Sequence, residues 1–393
     1  MTATQKQCSE RGPVLYVAFE LGWSEWKLGF MTAPADSVRL QTIKARNTQA
    51  LLWEISKAKE RFGLLENAPV YSCYEAGRDG FWLHRWLLSQ GVNNLVVDSA
   101  SIEVNRRKRR AKSDQLDAAK LVTMLVRYYG GEKKVWSVVN VPGVEDEDRR
   151  HPHRELLELK GERTEHVNRI RGLLAGCGLQ VSAIGVDFPK KLAALRQVDD
   201  STVPPRLQEQ LVREWERHQF VQRQIQDLEN ARARQIRTSK EKPVEQVRTL
   251  LNLRGIGPNS AWLYVMEFFS WRRIKNRRQL ASLTGLTPTP YSSGDLQREQ
   301  GISKAGNRRM RAMAVEIAWS WVHYQPGSAL SQWYKRRWGG GNSRQRRIGI
   351  VALARKLLVA IWRYLETGEV PAGAELSSWK VKMAGHKRVP VSV

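Results

Sequence analysis

Cysteine, long apolar runs and acidic residues are all scarce in this chain of 393 residues. Its three cysteines, Cys8, Cys73 and Cys177, lie far apart without the CxxC spacing of a zinc site, so we expect neither structural zinc nor a disulfide framework. No run approaches the roughly 18 apolar residues of a membrane-spanning helix, and the first residues contain no apolar signal segment. These absences predict a cytoplasmic protein that works outside membranes.

Positive charge is abundant instead. Lysine and arginine number 65 against 39 aspartates and glutamates, which gives a net charge of +26 and a pI of about 10.3. Such an excess favours a polyanionic partner, first of all nucleic acid, with structural RNA and anionic membrane surfaces as weaker candidates. The length is sufficient for two or three domains with sizeable cores.

Residues 13–140 have the pattern of an α/β domain. The apolar periodicity predicts three strands, then helix, strand, helix, strand and helix. The predicted strands are 14–19, 26–31, 38–45, 70–74 and 94–97, and the predicted helices are 48–62, 81–89 and 114–129. This is the element order of a ribonuclease-H-like domain. The expected fold class is therefore α/β, followed by a mainly helical remainder.

Four acids in this domain have positions that suit a metal site. Glu20 ends the first predicted strand, Glu75 ends the fourth, and Asp114 and Asp117 lie three residues apart at the start of a helix. Open α/β sheets build their sites at the carboxyl ends of strands, and carboxylate oxygens suit Mg²⁺. For Asp114 and Asp117 there is a plainer alternative, since acids in a first turn also complement the helix dipole.

A dense basic run stands just before the acidic pair. Six of the seven residues from 106 to 112 are cationic, namely Arg106, Arg107, Lys108, Arg109, Arg110 and Lys112. Such a run is usually a solvated loop. Because this one adjoins proposed metal ligands, we favour a clamp for a nucleic-acid backbone.

Residues 150–240 predict two long polar helices. We interpret the acidic stretch 145–148 as a linker before them. Apolar residues recur at helical spacing in 154–175 and in 205–236, and Arg163 and His218 interrupt the two stripes. This pattern favours an antiparallel coiled-coil hairpin over a long zipper. Both roles of such an arm, dimerisation and separation of two domains, stay open.

The last segment, 243–393, begins with a helix, a Gly255-Ile-Gly257 turn and a second helix. This is the pattern of a helix-hairpin-helix motif, in which backbone N–H groups contact a DNA phosphate. A plain interhelical turn is the alternative. The chain has fifteen tryptophans, and their helical spacing predicts that most belong to the core rather than to a base-stacking surface.

Two adjacent hydroxyls, Ser292 and Ser293, precede Gly294 and follow a segment that two prolines hold extended. The cations near them are Arg298, Lys304, Arg308 and Arg309. A serine on a turn among phosphate-binding side chains is a candidate nucleophile towards a phosphodiester. Taken alone, Ser-Ser-Gly is more often an ordinary turn.

Several motifs together resemble a known family. They are LLNLRGIGP at 250–258, QLASLTGLTP at 279–288, SSG at 292–294, GISKAGNR at 301–308, YEA at 74–76 and AKSDQLDA at 111–118. The chain resembles the DEDD transposases of the insertion-sequence one-ten family, relatives of the Piv DNA invertase, over most of its length.

The resemblance implies a RuvC-like N-terminal domain with a Mg²⁺-binding tetrad, a coiled-coil linker and a C-terminal domain with a catalytic serine. Carried over residue by residue, the tetrad is Glu20, Glu75, Asp114 and Asp117, and the serine is Ser293, with Ser292 beside it. The family also implies a bridge RNA that pairs with donor and target DNA. A homo-oligomer, dimer or tetramer, whose composite sites combine domains of different subunits is implied as well.

One position departs from the family pattern. Its first acid is normally Asp in a sequence like Gly-Ile-Asp-Val, whereas this chain has Ala18-Phe19-Glu20-Leu21. Glutamate keeps the oxygen ligands but reaches one methylene further. Two other functions therefore stay in view: a RuvC-like structure-selective nuclease in which metal-activated water attacks, and a decayed transposase that only binds nucleic acid.

Overall fold

The computed structural model describes residues 13–33, 36–102, 114–293 and 296–385, without the side chains at 114–115, 291–293, 296–299 and 384–385. The basic run 106–112 therefore lies outside the described residues. The chain separates into two compact units, with the division between Val141 and Pro142. The acids predicted as metal ligands belong to the first unit, and the predicted serine belongs to the second.

A five-stranded mixed sheet forms the first unit. Its strands are β1 (Leu15–Leu21), β2 (Glu25–Met31), β3 (Arg39–Lys44), β4 (Val70–Glu75) and β5 (Asn93–Val97). They lie in the order β3-β2-β1-β4-β5, with β1 antiparallel to β2, β2 antiparallel to β3, and β4 parallel to both β1 and β5. All five predicted strands are confirmed. The central strand β1 is buried on both faces, which explains its nearly continuous apolar sequence.

Helices cover both faces of this sheet. They are α1 (Thr48–Arg61), α2 (Trp82–Ser89) and α3 (Asp114–Tyr129), as predicted. One core packs α1 and α2 on one face, around Phe19, Leu51 and Leu83. The other packs α3 on the opposite face, around Ala18, Val122 and Leu125. The sheet is therefore the middle layer of a three-layer α/β unit.

A pair of long helices dominates the first part of the second unit. They are α5 (His151–Ala175) and α7 (Pro205–Thr238), and the short helices α4 (Val144–Asp148) and α6 (Phe188–Ala194) respectively precede them. The start of α5 packs against the middle of α7 through Leu156 and Val221. The end of α5 packs near the start of α7 through Leu174 and Leu211, so the two helices are antiparallel. A supercoil stays a prediction, and the acidic stretch read as a linker forms the short helix α4.

The rest of the second unit is mainly helical, as predicted. Its helices are α8 (Lys242–Leu251), α9 (Pro258–Tyr264), a π-helical turn (Val265–Phe269), α10 (Arg277–Thr284), α11 (Arg308–Tyr324), α12 (Ala329–Trp338), α13 (Ser343–Thr367) and α14 (Trp379–Gly385). Two strands, β6 (Pro288–Ser293) and β7 (Leu296–Ile302), form an antiparallel hairpin. One large core joins most of these helices around Trp321, Phe268 and Leu357. Within the described ranges, no helix is long and apolar enough to cross a membrane.

Candidate functional site

Two of the predicted metal ligands lie side by side at the carboxyl ends of neighbouring strands. Phe19 of β1 pairs with Tyr74 of β4 in the parallel register. Glu20 and Glu75 are the next residues on these strands, so they stand on adjacent strands about 4.8 Å apart. This juxtaposition follows directly from the parallel pairing, in which both strands end at the same edge of the sheet.

Helix α3 places the acidic pair near the same edge. It begins at Asp114 and includes Asp117 in its first turn. Gly29 of β2 allows the close approach of α3, because an added Cβ would lie 2.9 Å from the Ala118 carbonyl oxygen and 3.2 Å from Val122 Cγ1. The side chain of Asp114 lies outside the described residues.

A cleft of about 490 Å³ opens at this edge, and Glu20, Glu75 and Asp117 all line it. The cationic side chains of Arg78 and Lys120 line it too. Asp79 is a further acid of this cleft that the sequence reasoning missed. Its carboxylate is already engaged, since it pairs with Arg46 at 3.4 Å and with Arg78 at 3.3 Å. The signal for it was its place in the loop that directly follows β4, because open α/β sheets build their sites at the carboxyl ends of strands.

The chemistry of this cleft suits a divalent cation, although its described carboxylates do not form a complete metal site. Carboxylate oxygens are the ligands that Mg²⁺ prefers. Among the residues described, no group of three or more His, Cys, Asp or Glu side chains is close enough to hold a metal ion. Glu20 and Glu75 come from neighbouring strand ends, and Asp114 is the fourth predicted ligand. The four carboxylates are therefore the type of ligand that a divalent cation needs. That they come together around one cation stays a prediction.

The serine pair ends the first strand of a hairpin, directly before residues 294–295, which lie outside the described residues, so the turn stays a prediction. Ser292 and Ser293 are the last two residues of β6, where their partners in β7 are Gln297 and Leu296. The extended segment expected from Pro288 and Pro290 is confirmed and continues through both serines. Only residues 294 and 295 stand between the paired Ser293 and Leu296, and antiparallel strands can be joined by a connection of two residues.

Two glycines fix the base of this hairpin. Gly285 ends α10 with φ 68°, and a Cβ there would overlap the backbone oxygen of Ala305. Gly306 has φ 89°, and a Cβ there would overlap the backbone oxygen of Leu283. The glycines of the TGLTP and SKAGNR motifs thus allow the two ends of the hairpin to approach each other closely.

The cations predicted to hold phosphate have different positions. Arg308 and Arg309 are exposed in the first turn of α11, which Asn307 caps by accepting a hydrogen bond from the Met310 N–H at 3.0 Å. Lys304 is exposed after β7 and has φ 58°. The Arg298 side chain lies outside the described residues.

The Gly255–Gly257 segment joins α8 to α9, as the helix-hairpin-helix pattern predicts. Gly255 has φ 89°, and its carbonyl oxygen accepts a hydrogen bond from Ser320 Oγ at 2.8 Å. Gly257 is the N-cap of α9. The carbonyl side of the turn is therefore fixed against α11. Its role in binding phosphate stays a prediction.

A buried cationic cluster in the second unit was not predicted. Its titratable members are the buried Arg150, His153, Arg232 and Glu267 and the partly buried Arg154 and Arg272. Arg154 donates to both Glu267 carboxylate oxygens, at 2.6 and 2.9 Å. Burial raises the pKa of Glu267, but this pairing outweighs it, so the pKa lies below its ordinary value. These residues are scattered between 150 and 272, so only the tertiary fold brings them together.

Burial also weakens protonation in this cluster. It lowers the pKa of His153 to about 3, with the neighbouring Arg232 as a second cause. Burial lowers the pKa of Arg232 to about 10 and, with help from Arg150, that of Arg272 to about 10. His153 is therefore neutral at pH 7, and its Nδ1 lies 3.2 Å from Arg232 Nη2, a distance at which it accepts a hydrogen bond.

Comparison with known proteins decides the family. Residues 247–334 match the family described as Transposase IS116/IS110/IS902. The putative transposase y4rJ of Sinorhizobium fredii is 38% identical over 380 residues, which cover 93% of this chain and 95% of that protein. The chain belongs to the IS116/IS110/IS902 transposase family. The family match includes the Gly255–Gly257 turn, the hairpin of β6 and β7 that contains Ser292 and Ser293 (the serine hairpin), and the whole of α11.

Two further transposases of this kind match shorter parts of the chain. The transposase for insertion sequence element IS1328 of Yersinia enterocolitica is 26% identical over 56% of this chain and 63% of its own length. A probable family 20 transposase of Pseudomonas aeruginosa is 28% identical over 58% of this chain and 66% of its own length. The resemblance to insertion-sequence transposases is confirmed.

Proposed function

We propose that this protein cuts and rejoins DNA phosphodiesters through Ser293, with a divalent cation in the acidic cleft, as the transposase of an insertion sequence. The observation that carries the proposal is the family match over 247–334, which contains Ser292 and Ser293. In the reaction, Ser293 Oγ attacks a DNA phosphorus and loses its proton. The Oγ–P bond forms, one P–O bond to deoxyribose breaks, and the released oxygen takes up a proton. A hydroxyl of another strand then attacks the seryl phosphodiester and frees the serine.

The acids of the cleft have a separate task in this proposal. Glu20, Glu75, Asp114 and Asp117 would hold Mg²⁺, which neutralises phosphate charge and orients the reacting oxygens. The side-by-side ends of β1 and β4 support this assignment, because they direct two of these residues to one edge of the sheet. The strand order β3-β2-β1-β4-β5, with three antiparallel strands followed by parallel ones, supports a RuvC-like identity for this unit.

Nucleic-acid partners follow from charge and family. The net charge of +26 favours polyanions, and a transposase acts on donor and target DNA. We propose that a bridge RNA guides the choice of both and that the basic run at 106–112 is a clamp for a nucleic-acid backbone. We further propose a dimer or tetramer in which the acidic cleft of one subunit serves the serine of another.

The proposal is tested by a transposition assay with a donor plasmid and purified protein, with the cognate RNA co-purified from the host. Ser293→Ala is expected to bind DNA and RNA but to give no recombinant product. Ser282→Ala is the matched control, because Ser282 is an exposed hydroxyl on the neighbouring helix α10. It should retain wild-type product.

Mixed subunits test the composite site. Ser293→Ala and Asp114→Asn proteins are each expected to be inactive, whereas their mixture should regain part of the activity because each supplies what the other lacks. Normal recombination by Ser293→Ala alone would contradict the assignment of the nucleophile. A mixture as inactive as its components would contradict the composite site and leave the serine assignment standing.

A further inference from the structure

A large groove in the second unit is lined by cations around an apolar floor. Its volume is about 1410 Å³, and its walls come from the serine hairpin, α12 and α13. This exceeds the roughly 300–1,000 Å³ of ordinary small-molecule pockets. Nine arginine and lysine side chains line the groove, against the single carboxylate of Glu369. A groove of this size and sign fits an extended polyanion.

The cations of the groove are available for a ligand. Arg347, Arg355 and Arg363 follow one another at eight-residue intervals on α13, so each lies about 12 Å further along the helix axis and is turned by about 80° from the one before. All three line the groove. None of the nine forms an ion pair with a carboxylate of the described residues. Their charge is therefore not neutralised within this part of the chain, unlike that of Arg154, which Glu267 holds.

The floor between these cations is apolar and aromatic. Val351 and Val359 of α13 form part of it, with Trp333 and Trp338 of α12. The two indole rings lie 5.0 Å apart at 75°. Lys356 Nζ lies 4.7 Å from the Trp333 ring centre. The prediction that most tryptophans belong to the core is confirmed. Four of the fifteen are buried, and six more pack partly buried against core residues, namely Trp86, Trp215, Trp333, Trp338, Trp362 and Trp379. Trp333 and Trp338 are partly buried against the core of the second unit and also line the groove.

Cations beside an aromatic floor match single-stranded nucleic acid better than a duplex. Single strands present unstacked base faces to aromatic rings and phosphates to cations, whereas a duplex keeps its base faces stacked. A second copy of this chain fits poorly, because each copy has a net charge of +26. The hairpin of β6, which ends at Ser293, and β7 forms one wall of the groove through Pro288, Gly301 and Ile302. A strand lying here leads towards the residue proposed to cut DNA.

We propose that this groove binds single-stranded DNA next to the phosphodiester that is cut, with bases over Trp333 and phosphates on the arginine row of α13. The assignment of DNA rests on the proposed function, because it depends on the hairpin being the site of strand cleavage. Binding itself does not depend on that chemistry, so it can be measured without cleavage.

The experiment measures binding of a fluorescent 20-nucleotide DNA strand by anisotropy at several salt concentrations in EDTA, on the full chain. The test variant is Arg347→Gln/Arg355→Gln/Arg363→Gln. The control is Lys335→Gln/Arg336→Gln/Arg346→Gln, which removes the same charge from α12 and α13 at exposed positions outside the groove. Each lost phosphate contact should lower the log–log salt slope by about 0.7 on a single strand. The test variant should therefore lose about 2, and the control should change little.

The aromatic floor has its own variants. Trp333→Leu should weaken single-strand binding roughly tenfold to a hundredfold, as expected for loss of one stacked base, while Trp333→Phe keeps a ring and should retain most of the affinity. Thermal unfolding of both variants separates a binding loss from a folding defect. Equal slope changes in the test and control triples would overturn the proposal.

Matched duplex DNA and single-stranded RNA of the same sequence identify the ligand. An equal loss on duplex would contradict the single-strand assignment, and a selective loss on RNA would assign the groove to RNA. A dimerisation defect without any binding defect would make the groove a protein interface. If the groove binds as proposed while Ser293→Ala still recombines DNA, then the cleavage assignment fails and the groove stands.

Discussion

The acidic cleft of the first unit and the serine region of the second are opposite in charge and in construction. Glu20, Glu75 and Asp117 line the cleft at the ends of buried strands and at the start of a packed helix. The second unit presents exposed cations around a hairpin whose base depends on two glycines. Carboxylates suit a cation, and arginines suit phosphate. In the proposed function, the first unit would bind the metal and the second would bind DNA.

Removing one carboxylate from the cleft should have the largest effect. Asp117→Asn or Glu75→Gln should lower the rate of strand exchange about a thousandfold, because a metal site contributes several kcal/mol of stabilisation to the transition state. Asp148→Asn is a matched control, since it removes an acid of α4 in the second unit. The measurement is the recombination rate at saturating DNA, together with the Mg²⁺-induced shift in the melting temperature. Full activity of wild-type protein in EDTA would contradict the metal site.

Substituting a glycine at the base of the hairpin should lower the stability of the protein without changing its charge. Gly306→Ala should lower the free energy of unfolding by about 2–4 kcal/mol, because φ of 89° is strained for alanine and the new Cβ meets a backbone oxygen. Gly161→Ala is the control, since that glycine lies in α5 with open space around it and should gain about 1 kcal/mol from helix propensity. Urea unfolding measures both. Equal changes in the free energy of unfolding for the two variants would show that the backbone around Gly306 moves at little cost to make room for a Cβ.

The buried cluster around His153 should make the stability of the second unit depend on pH, with a smaller effect than the glycine substitution. The folded pKa of His153 is about 3, below the ordinary histidine value of 6.5, so between pH 6.5 and 5 only the unfolded chain takes up this proton. The free energy of unfolding should therefore decrease by about 2 kcal/mol as the pH is lowered through this window, with a limiting slope of about 1.4 kcal/mol per pH unit. The window stays above the range in which Glu267, whose pKa is lowered, would begin to protonate.

The variant His153→Gln isolates this contribution. It keeps a hydrogen-bond acceptor for Arg232 but cannot take up a proton, so urea unfolding should show a flatter pH profile. A residual slope is expected from His218, whose pKa is also lowered, mainly by burial. An unchanged profile in His153→Gln would show that the His153 imidazole is protonated in the folded state.

The sequence predicts the sheet and its acids well because they depend on local order. Strand ends follow from apolar periodicity, and parallel pairing then brings Glu20 beside Glu75. The hairpin was missed because the pairing of Ser293 with Leu296 depends on a partner strand, which the local composition of Ser-Ser-Gly does not record. The cluster around Glu267 was missed for a related reason. Arg154 reaches Glu267 across 113 positions of sequence, which no local pattern records.

The most direct test of the account is a search for a covalent bond between Ser293 and DNA. A reaction on an end-labelled, nicked substrate is stopped by denaturation, and labelled DNA that migrates with the protein is measured. The account predicts this adduct in wild-type protein and in Ser292→Ala, and none in Ser293→Ala. An adduct lost only in Ser292→Ala would move the nucleophile by one residue. Strand exchange with no adduct in any variant would contradict the account and assign the attack to water activated in the acidic cleft.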